Sequence, residues 1–263
     1  MNNKFLLLIL SLSIWLPWTG FSQFDDEVSK TQLYDKAVDM EIYVQMLAKD
    51  KLYLINNLRK KQAGTELDYA LAKMSENLSD IDLNEENPKI TNQLEQVKKV
   101  WAKFNLKVTQ NLTPKEFTNL YFEVNTFDHL LADLVEKMKI NYQLPQKEIK
   151  NYDAVQQLRK LIQKISLSYY ADYLGLSKSF SHEYKKNIES VDTFIKQKSN
   201  IFLNDPVAEK QFSDVILDWN FLRANLLHQQ IKNPKTIFSL STTIDYKLNT
   251  IKDNYINKLN QGF

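Results

Sequence analysis

Between Ile90 and Val108 the apolar residues fall at Ile90, Leu94, Val97, Trp101, Phe104 and Val108, in alternating steps of four and three. Such steps place all six on one face of an α-helix, the narrow seam of helices that cross at a shallow angle. The same steps recur 118 residues later through Ala208, Phe212, Val215, Trp219, Leu222 and Leu226. Pro88 and Pro206 precede the two seams at the first turn, where a missing N–H costs nothing, and Asn87 and Asp205 stand in front of them as caps.

The offset of 118 also links Gln93 to Gln211, Gln45 to Gln163 and Leu58 to Leu176. One fixed offset held over so many positions indicates two copies of one domain, and its length is too great for a solenoid unit. Each copy reads as four helices. A long first helix carries Leu33, Ala37, Met40, Val44, Leu47 and Leu54, answered by Val155, Leu158, Ile162, Ile165 and Tyr169. A short second helix uses Leu67, Leu71, Met74 and Leu78, answered by Tyr184, Ile188, Val191 and Ile195. The fourth helices start near Pro114 and Pro234. The expected fold is all-α, two tandem antiparallel four-helix bundles over 23–140 and 147–263 with a short linker at 141–146.

Composition changes this picture at the N-terminus. Lys4, the apolar run from Phe5 to Leu16 and the small residues Gly20 and Ser22 read as a signal peptide over 1–22, cleaved before Gln23. The run is short for a membrane span, which favours cleavage, and an uncleaved anchor is the alternative. Loss of Lys4 takes the formal charge from +2 to +1, near balance, so no electrostatic footprint for nucleic acid appears. The absence of Cys excludes disulfides, thiolate metal sites and a lipid-modified N-terminal Cys. An exported protein, periplasmic, surface-associated or secreted, is expected.

Enzyme chemistry finds no motif. There is no paired Glu-x-x-His, nucleophile elbow, phosphate loop or His-Glu-x-x-His, and His129, His182 and His228 are scattered. Neither a metal nor a cofactor is expected.

The first helix and the segments after it resemble the PilJ-type domain, the N-terminal sensory module of type IV pilus chemotaxis transducers, related to the periplasmic domain of NarX-like nitrate/nitrite sensor kinases. The family's box reads close to Arg-Met-Leu-Ser-Gln-Arg-Ile-Ala-Lys. Arg159 to Leu167 (RKLIQKISL) keep its Arg, Leu, Gln, a basic residue and Ile, and Glu41 to Lys49 (EIYVQMLAK) keep the Gln and the final Ala-Lys. The Trp-bearing third helix and the Pro-led fourth helix also look like the family, so two copies cover most of the chain. The resemblance implies a four-helix sensory bundle, with a small anion such as nitrate or nitrite held by arginines of two first helices. It points to Arg159, Gln163, Lys164, Gln45 and Lys49 as ligand-binding residues. The chain has no second membrane helix and no kinase or methyl-accepting part, so signalling would pass through an envelope protein partner.

Helical geometry adds a further expectation. Arg159, Gln163, Ser166 and Tyr170 form a stripe beside the core seam, as do Glu41, Gln45, Ala48 and Leu52. If the two first helices lie side by side, Glu41 meets Arg159 across a pseudo-twofold axis and takes the place of the anion. The alternatives are ordinary solvated charges at Glu41 and Arg159, or an anion site at Arg159, Gln163 and Lys164. Lys51 and Asp172 interrupt the apolar seam; a frayed helix end that lets both charges reach water is expected, and the alternative is buried polar residues that fix register. Trp101 and Trp219 read as core residues, and the tyrosines at 169, 170 and 173 as packing between bundles. The leading function is a sensory or ligand-binding module without enzymatic activity. The alternative is a structural or interaction bundle that has lost its ligand.

Overall fold

The computed structural model describes residues 29–198, 202, 205–227 and 232–261. The expected signal peptide and His228 lie outside them. Eight helices follow in order: α1 (Lys30–Ile55), α2 (Lys60–Asn84), α3 (Pro88–Thr109), α4 (Pro114–Tyr142), α5 (Gln146–Tyr173), α6 (Lys178–Lys198), α7 (Pro206–Leu227) and α8 (Pro234–Gln261). No strand occurs among the described residues. No helix among them is long and apolar enough to cross a membrane.

Local chemistry explains the helix starts. Asn87 accepts from the Lys89 N–H in front of Pro88, and Asp205 accepts from the N–H groups of Val207 and Ala208 around Pro206. Thr113 and Glu116 form a reciprocal capping box around Pro114, and Ser29 with Gln32 does the same for α1. Each satisfies N–H groups that a helix start leaves without partners. All twelve seam positions of α3 and α7 are buried.

Two expectations need correction. The second helix is not short: α2 is 25 residues long. The expected stripe from Leu67 to Leu78 stops one turn short at each end, where Ala63 and Ile81 are also buried. The turn between α4 and α5 is also tighter than expected. Asn141 and Tyr142 belong to α4, and the chain reverses at Gln143 in a left-handed conformation with φ 54°.

The packing is centred on two helices. α1 lies against α2, α4 and α5, α5 lies against α1, α6 and α8, and α3 and α7 pack mainly on α4 and α8. Every residue from Ile42 to Tyr53 is buried, so the middle of α1 has no face left for water. α1 and α5 run parallel. Tyr34 packs on Tyr152 with ring centroids 5.9 Å apart, Gln156 donates to Asp39 at 2.9 Å, and Tyr53 packs on Tyr170 at 4.1 Å. All three pairs are separated by 117 or 118 residues, so the register holds along both helices.

The seam charges do not fray. Lys51 is 7% exposed, and its ammonium donates to the carbonyl of Gln110, the C-cap of α3. The terminal carbonyls of a helix need donors, and this lysine supplies one from the neighbouring helix. Asp172 is half-buried and pairs with Lys232 at 3.1 Å. Tyr170 packs across to α1, whereas Tyr169 meets Tyr184 of α6 edge-on.

Candidate functional site: the buried polar seam between α1 and α5

Parallel neighbours on α1 and α5 bring polar side chains together where water is excluded. Arg159 is 4% exposed. Its Nε donates to Asp245 of α8 at 2.9 Å, and one terminal nitrogen donates to Asp39 of α1 at 3.0 Å and to the Gln156 side chain at 2.9 Å. Lys252 of α8 stands 3.2 Å from both Asp35 and Asp39. Tyr152 donates to Asp35 at 2.7 Å. Burial pushes the Asp39 carboxyl up, but Lys252 and Arg159 outweigh it and hold the group below the usual carboxylate range.

Asp35 behaves in the opposite sense. Burial, and then the negative charge of Asp39, push its carboxyl up to about 6 despite Lys252 and Tyr152. The folded chain therefore binds a proton that the unfolded chain has released, so stability falls as pH rises from about 4 to about 6. Asp35→Asn keeps an oxygen for Tyr152 and removes the repulsion. The variant is expected to gain on the order of 1–2 kcal/mol at neutral pH and to lose this slope. Urea midpoints at about pH 5 and about pH 7.5 check it, and a variant weaker than the parent chain at the higher pH contradicts it.

Glu41 is placed elsewhere than expected. Its carboxylate lies 3.4 Å from Lys160, not in the Arg159 fork, which is taken by Asp39 and Asp245. The cross-helix pairing exists, but it is shifted by one residue on α5 and by two on α1. Lys160 also reaches Asp128 of α4 at 2.7 Å, and Lys164 holds the other oxygen of Asp128 at 3.0 Å. Asp128 and Asp245 are 117 residues apart, and each receives cations from α5. That offset was the one signal in the sequence that pointed to either residue. Asp39 and Lys252 had no comparable signal.

The remaining expected ligand residues are also drawn inward. Lys49 is fully buried, 2.9 Å from Glu66 of α2 and 3.2 Å from Asp50. Gln45 and Gln163 are each 1% exposed, and among the described residues Gln45 Nε2 and Gln163 Oε1 have no hydrogen-bond partner. Of the five candidates, the three cations are paired with carboxylates and the two glutamines each keep one open atom. A cleft of about 550 Å³ opens between α2 and α8 above Asp35, Asp39 and Lys252, walled by Tyr43 and Tyr69. His129 and His182 are exposed on separate helices, and no group of His, Asp and Glu among the described residues is placed to hold a metal ion.

Comparison with protein-family models, with curated proteins and with solved structures finds no match to this chain.

Proposed function

We propose that this chain is an exported, non-enzymatic module of two tandem PilJ-like bundles, 23–140 and 147–263, that acts by contact with a protein partner in the cell envelope. In this reading the anion seam of the resembled sensors is closed by the chain's own carboxylates. The observation that carries it is Arg159, buried and held by Asp39 and Asp245 at 3.0 and 2.9 Å. A guanidinium already holding two carboxylates in a dry site has little left to offer a third anion. The parallel register of α1 and α5 supports the comparison with two first helices of a sensor dimer.

A second reading, the sensory module that binds a small ligand, is favoured by the open atoms of Gln45 and Gln163. One donor and one acceptor, both buried, suit a small polar guest. Thermal unfolding in nitrate, nitrite and chloride at matched ionic strength separates the two. Closure by carboxylates predicts equal melting temperatures in all three salts. A ligand present at about 100 times its Kd adds about 2.7 kcal/mol to stability, which such a scan resolves. A nitrate- or nitrite-specific rise that disappears in Gln45→Leu, which removes the open donor, establishes the sensory reading and overturns the first.

A further inference from the structure

A second buried cluster lies further along α1. Asp50 is fully buried, and neither of its carboxyl oxygens accepts a hydrogen bond among the described residues. Lys49 Nζ stands 3.2 Å from Asp50 but donates instead to Glu66 at 2.9 Å. Glu66 is well supplied with donors, since Gln62 of its own helix reaches it at 3.2 Å and Thr242 of α8 at 3.2 Å. One ammonium therefore faces two carboxyls, with Lys49 Nζ 3.2 Å from Asp50 and 2.9 Å from Glu66.

With both acids ionised, Lys49 leaves the site one negative charge in excess, and an uncompensated charge in a dry interior is costly. A proton on Asp50 leaves the site electrically balanced. Burial, and then Glu66 against the pull of Lys49, push the Asp50 carboxyl well above its ordinary range. The charges facing the pair are Lys49 on α1 and, from α8, Asp245, which acts on Lys49. Tyr53 of α1 lies near Asp50, and α5 presents the neutral Tyr170 against its ring.

The cluster sits where the first half of α8 meets α1 and α2. Tyr53 donates to the carbonyl of Pro234 at 3.1 Å, Arg59 donates to Ser239, Thr242 donates to Glu66, and the Lys49 ammonium lies 4.6 Å from the centre of the Phe238 ring. We propose that Asp50 keeps its proton at neutral pH, and that this proton, with Lys49, keeps the first half of α8 docked on α1 and α2. Loss of the proton at alkaline pH leaves the excess charge in the junction and loosens it. The sign follows from linkage: the folded chain holds a proton that the unfolded chain lacks, so stability falls as pH rises through the range where it is released.

Infrared spectra of the full chain in heavy water test the proton directly. At about pH 8 ordinary carboxyls, and Asp35 as well, are ionised and give no protonated-carboxyl band. The parent chain is expected to keep one such band, lost in Asp50→Asn. Glu66→Gln is expected to lose it too, because Lys49 then pairs with Asp50 alone. Hydrogen exchange, corrected for intrinsic rate, is expected to show alkaline loss of protection over 234–245 in the parent chain only. A parent chain without the band, or a band that survives Asp50→Asn, overturns the proposal. Should Asp50→Asn not fold, Glu66→Gln decides alone: survival of the band there overturns the proposal.

Discussion

Arg159→Ala is expected to cost about 3–5 kcal/mol of folding stability, the range for removing one partner of a buried ion pair. The side chain is 5% exposed, and among the described residues Arg159 is the sole ion-pair partner of Asp245. Asp39 keeps Lys252 and Gln156, so most of the penalty falls on the stranded Asp245. Asp245→Asn is expected to cost less, because Arg159 retains Asp39. The pair Arg159→Met with Asp245→Leu is expected to recover much of the loss, since apolar groups of similar volume often replace a buried ion pair without penalty. Urea denaturation at neutral pH measures all three. A loss below about 1 kcal/mol for Arg159→Ala, the range of a solvated pair, would place this arginine in water and remove the basis of the closed seam.

Trp219→Ala carries a comparable penalty for a different reason. α7 packs mainly on α8, and Trp219 of α7 is 2% exposed. Truncating a buried Trp removes its transfer energy and leaves a cavity, about 3–5 kcal/mol together. Its indole N–H also donates to Asp192 of α6 at 3.0 Å. Trp219→Phe keeps most of the apolar volume and gives up that bond. Asp192 still holds Arg223 at 2.7 Å, so this variant is expected to lose about 1 kcal/mol from the hydrogen bond and little else. Urea midpoints of the two variants at one pH provide the comparison. Equal losses in both would assign the effect to the hydrogen bond and not to packing.

How much of this was legible depended on whether a helix has a solvent face. α3 and α7 have one, so their apolar residues stand out against polar neighbours, and all twelve seam positions are in the core. α1 has none in its middle, and Gln45, Lys49, Asp50 and Lys51 are buried there among apolar residues. Nothing in a single-helix pattern separates a buried lysine with a partner from an exposed one. The partners of Lys49 and Lys51 lie on α2 and at the C-cap of α3, and they become visible only when those helices are in place. The expected meeting of Glu41 with Arg159 shows the same limit at finer scale. Placing α1 beside α5 followed from the offset, but adjacent residues on a helix point about 100° apart. The rotation of each helix therefore decides between Arg159 and Lys160, and spacing along the chain does not contain it.

The central position of α1 also governs the order of assembly. As the chain is made from its N-terminus, α1 emerges first, yet Tyr34, Asp39 and Tyr53 have partners more than 100 residues downstream on α5 and α8. Until those helices arrive, one flank of α1 shows water both aromatic rings and carboxylates that end up dry. The first four helices can gather around their own seams early, but closing the remaining flank waits for contacts of high sequence separation, which are slow to form. The first of the eight described helices is thus the last to be sealed, and a chain interrupted before Pro234 would leave that flank open.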